Sequence, residues 1–315
     1  MPEPLRKVRV DRIVDEAEGV RSFRLVGLDG DRLPPATPGS HVDVQTPGGP
    51  IRQYSLCDPD DHVIAVKLEA GSRGGSAAMH RVEEGDVLEI GAPRNAFGLV
   101  EEARRHVLVA GGIGITPVLA MARHLARRGA GFELHYFARS EAHMAFREVI
   151  TEGPWRGAAY PHVGLDPDGT CAVLRAVLRE PTAGVHVYTC GPGPLMDAVR
   201  AVAQGAGWAA EQLHEERFSA APVEVGASGF RVELARSGIA VEVGAAESVL
   251  DALGRAGIEI DYSCEQGICG TCVTPVLAGD VDHRDDYLTD EEKAEGDRMC
   301  VCVSRCRGER LQLDL

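Results

Sequence analysis

The chain has 315 residues, more than one ordinary hydrophobic core accommodates, so two or three domains are expected. Its 48 Asp and Glu against 33 Lys and Arg give a formal charge of −15, which argues against nucleic acid and anionic membranes as partners. No apolar run approaches the roughly 20 residues of a membrane span, and the N-terminus shows no apolar segment of a secretory signal.

Residues 1–103 are rich in short strand-like segments that Gly and Pro turns separate. This spacing predicts a small antiparallel β-barrel. The predicted strands cover residues 8–10, 21–26, 41–44, 52–56, 62–68 and 86–90.

Two stretches of this first part suit a flavin. In residues 52–55, strand alternation sends Arg52 and Tyr54 to the same side, so a phosphate-binding guanidinium and an aromatic ring share a face. The glycine-rich loop 71–75 opens a short helix with Ser76 as its predicted N-cap, and a helix start attracts phosphate. Alone, such a loop is usually a turn and such a tyrosine usually packs in a core, so the interpretation depends on both together.

From residue 104 to 222, strands and helices alternate, which predicts a parallel sheet. A buried strand at 106–110 leads through the glycine-rich turn 111–117 into an amphipathic helix at 118–128, with Thr116 as predicted N-cap. Such a turn brings main-chain amides and the positive helix end to the phosphates of a nucleotide. A purely structural tight turn is the alternative.

Three further strands are predicted in this part. The strand at 132–138 ends at Arg139 and Ser140; the strand at 185–189 leads through Cys190-Gly191-Pro192 into a helix at 196–203; and a last strand at 211–218 precedes a linker at 219–228. Nucleotides bind at the carboxyl ends of parallel strands, so we expect the crevice there. Cys190 would contact a nicotinamide ring or be a small buried residue.

The last part, residues 229–315, predicts a small β-grasp with a hairpin at 230–235 and 239–243, a capped helix at 248–256 and a closing strand at 311–315. Within it, Cys264, Cys269 and Cys272 are followed by further cysteines about thirty positions on. This is the plant-type ligand spacing of a 2Fe-2S cluster. Gly267 and Gly270 would let the loop curl tightly and point its amides at the inorganic sulfurs.

The fourth ligand must come from Cys300, Cys302 and Cys306. Alternation along a strand places Cys300 and Cys302 on the same face, so the spacing leaves both open. Buried structural thiols and a zinc site are the alternatives, but zinc favours paired Cys-x2-Cys or Cys/His knuckles and one Cys-x2-Cys is present. Cysteines needed as thiolates favour a reducing cytoplasm over a disulfide framework.

The negative charge is concentrated in residues 229–315, which hold 18 Asp and Glu and nine Lys and Arg. Such a surface could steer a basic protein partner, or be a solvated acidic face that maintains solubility.

Taken in order, the motifs at 52–55, 74–76, 111–117 and 190–192 and the four-cysteine pattern resemble those of the phthalate dioxygenase reductase family, which includes the reductases of vanillate O-demethylases. The resemblance covers nearly the whole chain. It implies an FMN-binding β-barrel over 1–103, an NAD-binding α/β domain over 104–222 and a plant-type 2Fe-2S ferredoxin domain of α+β type over 229–315.

The resemblance also implies the residues of each site. FMN is expected on Arg52, Tyr54, Ser55, Gly74, Gly75 and Ser76, and NADH on Gly112, Gly114, Thr116, Arg139, Cys190 and Gly191. The cluster is expected on Cys264, Cys269, Cys272 and Cys302. Ser55, Cys190 and Phe218 are expected near the reacting rings. Ser140 stands where some family members carry an acidic residue, so NADPH is the alternative to NADH.

NADH gives up two electrons as a hydride, whereas a 2Fe-2S cluster accepts one at a time, so a flavin is needed between them. The expected function is therefore an NADH-dependent reductase that supplies a Rieske-type oxygenase. The alternatives are the same electron transfer serving a haem-thiolate monooxygenase, and a redox sensor that reports to a regulator without sustained turnover. A monomer is expected, although no sequence pattern bears on the oligomeric state.

Overall fold

The computed structural model describes residues 5–69, 74–218, 228–262, 265, 267, 270–285 and 287–315. By its internal contacts the chain divides into two compact units, Met1–Glu216 and Arg217–Leu315. Most of the predicted linker at 219–228, together with Cys264 and Cys269, lies outside the described residues.

An antiparallel barrel forms the start of the first unit. Its strands pair in the order β1–β2–β5–β4–β3–β6, β6 pairs back with β1, and β7 adds to β3. Alternating side chains such as Val8, Val10, Val42 and Val44 fill the interior. The predicted barrel is confirmed. The elements are β1 (Arg6–Ala17), β2 (Val20–Gly27), β3 (Ser40–Gln45), β4 (Ile51–Asp58), β5 (Val63–Lys67), α1 (Gly75–Met79), β6 (Val87–Ile90) and β7 (Arg94–Asn95).

A parallel sheet with the strand order β10-β9-β8-β11-β12 completes the first unit, as predicted. Helices α4 and α5 pack on the face that carries Val107, Val109 and Val187, and α2 contacts both this sheet and barrel strand β4. The sequence patterns did not predict β10, α3 or α4. The elements are β8 (Arg105–Gly111), α2 (Ile115–Arg128), β9 (Phe132–Ala138), α3 (Arg147–Glu152), β10 (Ala159–Val163), α4 (Pro167–Val177), β11 (Val185–Cys190), α5 (Gly193–Ala206) and β12 (Leu213–Glu216).

The predicted N-caps of α1 and α2 are wrong. Helix α1 begins at Gly75, two residues earlier than predicted, and its N-cap is Gly74 in the left-handed region at φ 102°. Helix α2 follows a 3-10 turn at Gly112–Gly114, and the Thr116 hydroxyl donates to the Ile113 carbonyl at 3.0 Å. In both places glycines have already turned the backbone into the helix, so the hydroxyl residue falls inside the first turn.

The second unit packs a helix against a mixed sheet of strand order β14-β13-β19-β15-β17, in agreement with the predicted α+β class. Strand β19, the predicted closing strand, lies in the centre, parallel to β13 and antiparallel to β15. Ser248 caps α6 by accepting from the Asp251 amide at 3.0 Å. The elements are β13 (Phe230–Leu234), β14 (Ala240–Val243), α6 (Val249–Arg255), β15 (Val273–Ala278), β16 (Val281–Asp282), α7 (Asp290–Glu295), β17 (Arg298–Cys300), β18 (Arg305–Cys306) and β19 (Arg310–Leu313).

In the described part of the chain, every helix is too short or too polar to cross a bilayer.

Candidate functional site

A carboxyl group lies where the barrel meets the parallel sheet. The buried Ser55 hydroxyl on β4 donates to Oε2 of Glu216 at 3.4 Å. Glu216 ends β12 beside Cys190, the last residue of β11. Burial raises the pKa of Glu216 to about 7, although the Ser55 hydrogen bond lowers it. The carboxyl can therefore hold or release a proton close to neutral pH.

Sequence reasoning assigned no role to Glu216. The available signal was weak: an acidic residue at the carboxyl end of a predicted parallel strand, inside a run with three Glu and one Arg. The structure brings this residue together with Ser55 and Cys190, two of the residues expected near the reacting rings.

Cys190 is fully buried, and burial followed by the nearby Glu216 charge raises the pKa of its thiol well above the ordinary value. Its thiol is therefore neutral at physiological pH. A neutral, buried thiol is a poor nucleophile, but it can pack against an aromatic or nicotinamide ring.

The turns that follow β8 and β11 contact each other through bare backbone. A Cβ on Gly114 would lie 2.3 Å from the Cys190 carbonyl oxygen, and one on Gly191 would lie 3.0 Å from Cα of Gly111. Gly112 has φ +51°, and no described atom lies within 4 Å of the position its Cβ would take. The glycines therefore form a close-packed floor that borders open space at Gly112, where a nucleotide backbone can approach.

Arg52 lies against the start of α1. A Cβ on Gly75 would lie 3.1 Å from Cγ of Arg52, so the two residues are in direct contact. Tyr54 is half-buried against the barrel core, and burial raises its pKa to about 12. The Ser76 hydroxyl accepts from the Glu69 amide at 3.2 Å. Residues 70–73, which include part of the predicted glycine-rich loop, lie outside the described residues.

At the end of β9, Arg139 and Ser140 converge on one imidazole. Arg139 is hydrogen bonded to Nε2 of His143, and the Ser140 hydroxyl lies 2.7 Å from Nδ1 of the same ring. Sequence reasoning did not find His143. Phe218 is half-buried and belongs to the second unit.

Three cysteines of the second unit come together in space. The thiols of Cys300 and Cys302 donate hydrogen bonds to the sulfur of Cys272, which lowers the pKa of Cys272. The contact with Cys272, together with burial, raises the pKa of Cys300. Converging soft sulfur donors are the ligand chemistry of an iron–sulfur cluster.

The expectation that Cys300 and Cys302 alternate within one strand is wrong. Strand β17 ends at Cys300, and the amides of Val303 and Ser304 both donate to the Cys300 carbonyl, so Cys302 lies in a tight turn. Both thiols still reach Cys272, so proximity alone does not separate them. Cys306 on β18 instead donates to the Arg310 carbonyl at 3.3 Å.

The glycines beside the cysteines adopt the tight curl that the sequence predicts. Gly267 and Gly270 have φ +72° and +73°. A Cβ on Gly267 would lie 2.6 Å from the Val303 side chain, and one on Gly270 would lie 2.1 Å from the Tyr287 ring. Gly267 therefore packs closely against the turn that carries Cys302, and the described cysteines around it have the ligand chemistry of a thiolate-bound cluster.

Comparison with known proteins gives a match over both units. Residues 232–307 match the family model of the 2Fe-2S iron-sulfur cluster binding domain, and residues 92–213 match the model of the dimethylamine monooxygenase subunit DmmA-like N-terminal domain. The chain is 44% identical to the vanillate O-demethylase oxidoreductase of Pseudomonas sp. (strain HR199 / DSM 7063), over 95% of this chain and 96% of that protein.

The solved structure of phthalate dioxygenase reductase, described as a modular structure for electron transfer from pyridine nucleotides to [2Fe-2S], is 38% identical with a TM-score of 0.81. The match covers 99% of this chain and 98% of that one. The chain belongs to the phthalate dioxygenase reductase family. An intact type IV self-sufficient cytochrome P450 monooxygenase also matches, at 39% identity and a TM-score of 0.75, over 99% of this chain and 41% of that one.

As a member of the phthalate dioxygenase reductase family, the chain is an oxidoreductase and the reductase component of an oxygenase system. The family stated from the sequence motifs is confirmed, and so is the cofactor set of FMN, pyridine nucleotide and 2Fe-2S cluster that it implies.

Proposed function

We propose that this chain oxidises NADH and delivers the electrons singly to a Rieske-type oxygenase in the cytoplasm, acting as a monomer. The proposed domains are 1–103 for FMN, 104–222 for NADH and 229–315 for the cluster. The observation that carries the proposal is the convergence of Cys272, Cys300 and Cys302 in a chain whose first unit gathers Ser55, Cys190 and Glu216 at one junction.

Bound FMN would supply the conversion of a hydride into single electrons. Arg52, in contact with Gly75 at the start of α1, would hold its phosphate by charge-assisted hydrogen bonds. The Ser55 hydroxyl, itself bonded to Glu216, would face the reacting ring and hold a proton there. The other proposed FMN residues are Tyr54, Gly74 and Ser76.

NADH would lie on the glycine floor formed by the turns after β8 and β11, because the open space beside Gly112 leaves room for its phosphates. The proposed contacts are Gly112, Gly114, Thr116, Cys190 and Gly191. Arg139 would contact the adenosine end. Since Arg139 and Ser140 could also accept a 2′-phosphate, the ratio of kcat/KM for NADH and NADPH is the test, and a higher value for NADPH would contradict the proposal.

Cys264, Cys269, Cys272 and Cys302 are the proposed cluster ligands, and a matched pair of variants tests the fourth. Cys302→Ser is expected to lose iron and the visible bands of the cluster, whereas Cys300→Ser keeps about two irons per chain. Both variants should still reduce ferricyanide with NADH, because this reaction needs the flavin site alone. The reverse pattern of iron loss would make Cys300 the ligand.

The function itself is tested on the purified holoprotein. NADH added without oxygen is expected to bleach the flavin and cluster absorbance, and the reduced protein to support turnover by a Rieske oxygenase. The similarity to a self-sufficient cytochrome P450 favours a haem-thiolate acceptor as second candidate. Turnover with a cytochrome P450 and none with Rieske oxygenases would decide for that candidate, and a protein without flavin or iron would contradict both.

A further inference from the structure

A buried carboxylate packs against Gly267, a described residue between two of the proposed ligands in the sequence. Asp285 is 2% exposed. Its Oδ1 accepts from the Ser304 hydroxyl at 2.9 Å, and its Oδ2 accepts from the Leu288 amide at 2.9 Å. Nδ1 of His283 is 3.6 Å from Oδ1, too far for a hydrogen bond. The side chain is therefore oriented by two hydrogen bonds at a place where water does not screen its charge.

Two contacts of Asp285 are with residues that stand close to the proposed ligands in the sequence. Gly267, between Cys264 and Cys269, packs so closely that a Cβ there would lie 3.1 Å from Cβ of Asp285. Ser304, which is fully buried, stands two residues after Cys302. Asp285 therefore contacts both Gly267, which stands between two proposed ligands in the sequence, and Ser304, in the turn that carries the proposed fourth ligand.

We propose that the Asp285 carboxylate lowers the reduction potential of the cluster, and that Ser304 positions and partly offsets this charge. The inference rests on the proposed cluster ligands. Reduction adds one negative charge to the cluster, and a fixed negative charge close by in a buried environment makes that addition less favourable. The Ser304 hydroxyl turns its positive end towards the carboxylate and weakens its field.

Substitutions of the two residues should therefore shift the midpoint potential of the cluster in opposite directions. Asp285→Asn keeps the shape of the side chain and removes the charge, so the midpoint potential of the cluster should become more positive. Ser304→Ala keeps the charge and removes a donor to it, so the midpoint should become more negative. Loosening of the turn by either substitution, as a purely structural role would predict, would not produce opposite signs.

The experiment is a redox titration of the full-length holoprotein, followed by the EPR signal of the reduced cluster. The matched control is Asp280→Asn, which removes a carboxylate two residues after β15 ends; this side chain is exposed, so water screens its charge. We expect the wild-type midpoint in this control.

An unchanged midpoint in Asp285→Asn, or shifts of the same sign in the two variants, would overturn the inference. If Asp285→Asn does not assemble a cluster, Ser304→Ala decides: a more negative midpoint supports the inference, and an unchanged or more positive one overturns it. A wild-type protein without any EPR signal would instead contradict the proposed cluster, so the two failures are distinguishable.

Discussion

At the scale of single residues, Glu216 gives the first unit a defined pH dependence. Its pKa in the folded protein, about 7, lies above the ordinary value of 4.5 because of burial. The protonated carboxyl therefore stabilises the fold fully below pH 4.5, and this contribution is lost as the pH rises through 7. In Glu216→Gln the side chain stays neutral at every pH. The thermal midpoint of the variant, relative to that of the wild type, should therefore rise between pH 5 and pH 8.

Thermal unfolding at several pH values measures this difference. Ser55→Ala provides a second check, because it removes the hydrogen bond that lowers the pKa of Glu216 and should move the transition to higher pH. A difference between wild type and Glu216→Gln that is constant from pH 5 to pH 8 would contradict the assignment.

The same residue shows why the site could be predicted only in part. Arg52, Tyr54 and the cysteine loop are recognisable because each motif is contiguous, so that local spacing carries the chemistry. Glu216 acquires its environment where β4, β11 and β12 meet, and these strands are distant in sequence. No local sequence pattern encodes the contact between these strands. The raised pKa of the Glu216 carboxyl could therefore be recognised only from the structure.

At the scale of elements, the turns after β8 and β11 can contact each other only because Gly114 has no side chain. We predict that Gly114→Ala destabilises the protein by about 1 to 3 kcal/mol, because the new methyl group would meet the Cys190 carbonyl at 2.3 Å and force the turns apart. It should also raise the KM for NADH, since the turns would form the nucleotide floor. Urea unfolding and steady-state kinetics measure the two effects.

Gly205→Ala is the matched control in helix α5. No described atom lies within 4 Å of its Cβ position and its φ is ordinary, so alanine should stabilise the helix by up to about 1 kcal/mol and leave the KM unchanged. Equal effects of the two substitutions would show that the close contact at Gly114 is unimportant.

The elements also show which sequence signals compete. Apolar patterns predicted most strands of the barrel and of the parallel sheet to within two residues of their bounds, but they gave β1 as 8–10 where the strand spans Arg6–Ala17, and they did not predict β7 or β10. The starts of α1 and α2 were not, because Ser76 and Thr116 are strong N-cap residues whose preference is overridden by the glycines before them. Strand β10 lacked a signal, since Pro161 and exposed residues such as Tyr160 interrupt its pattern.

At the scale of the molecule, the barrel and the parallel sheet form one unit. Arg123 of α2 donates to the Cys57 carbonyl at 2.8 Å and pairs with Asp58 at 3.1 Å, where both side chains are largely buried. Removing either partner of such a pair would leave the other charge largely buried and unpaired, which destabilises a protein more than breaking a surface pair does. Together with the bond between Ser55 and Glu216, this contact ties β4 to elements that follow residue 104.

The chain should therefore divide into two independently folding fragments at the boundary between the two units. We predict that a fragment of residues 1–218 folds and reduces ferricyanide with NADH, and that a fragment of residues 228–315 holds the cluster without flavin. Each keeps its own core, since Val8 to Ile90 and Val107 to Trp208 lie in the first fragment and Phe230 to Leu313 in the second.

A fragment of residues 1–103 is the informative control. It would lose the partners of Cys57, Asp58 and Ser55 and expose the face of β4 that α2 covers, so it should bind FMN weakly or unfold. Circular dichroism, flavin fluorescence and ferricyanide reduction distinguish the fragments. A stable, FMN-loaded fragment 1–103 would show that the barrel is independent of the sheet, and a fragment 1–218 that cannot fold would show that the first unit depends on the second.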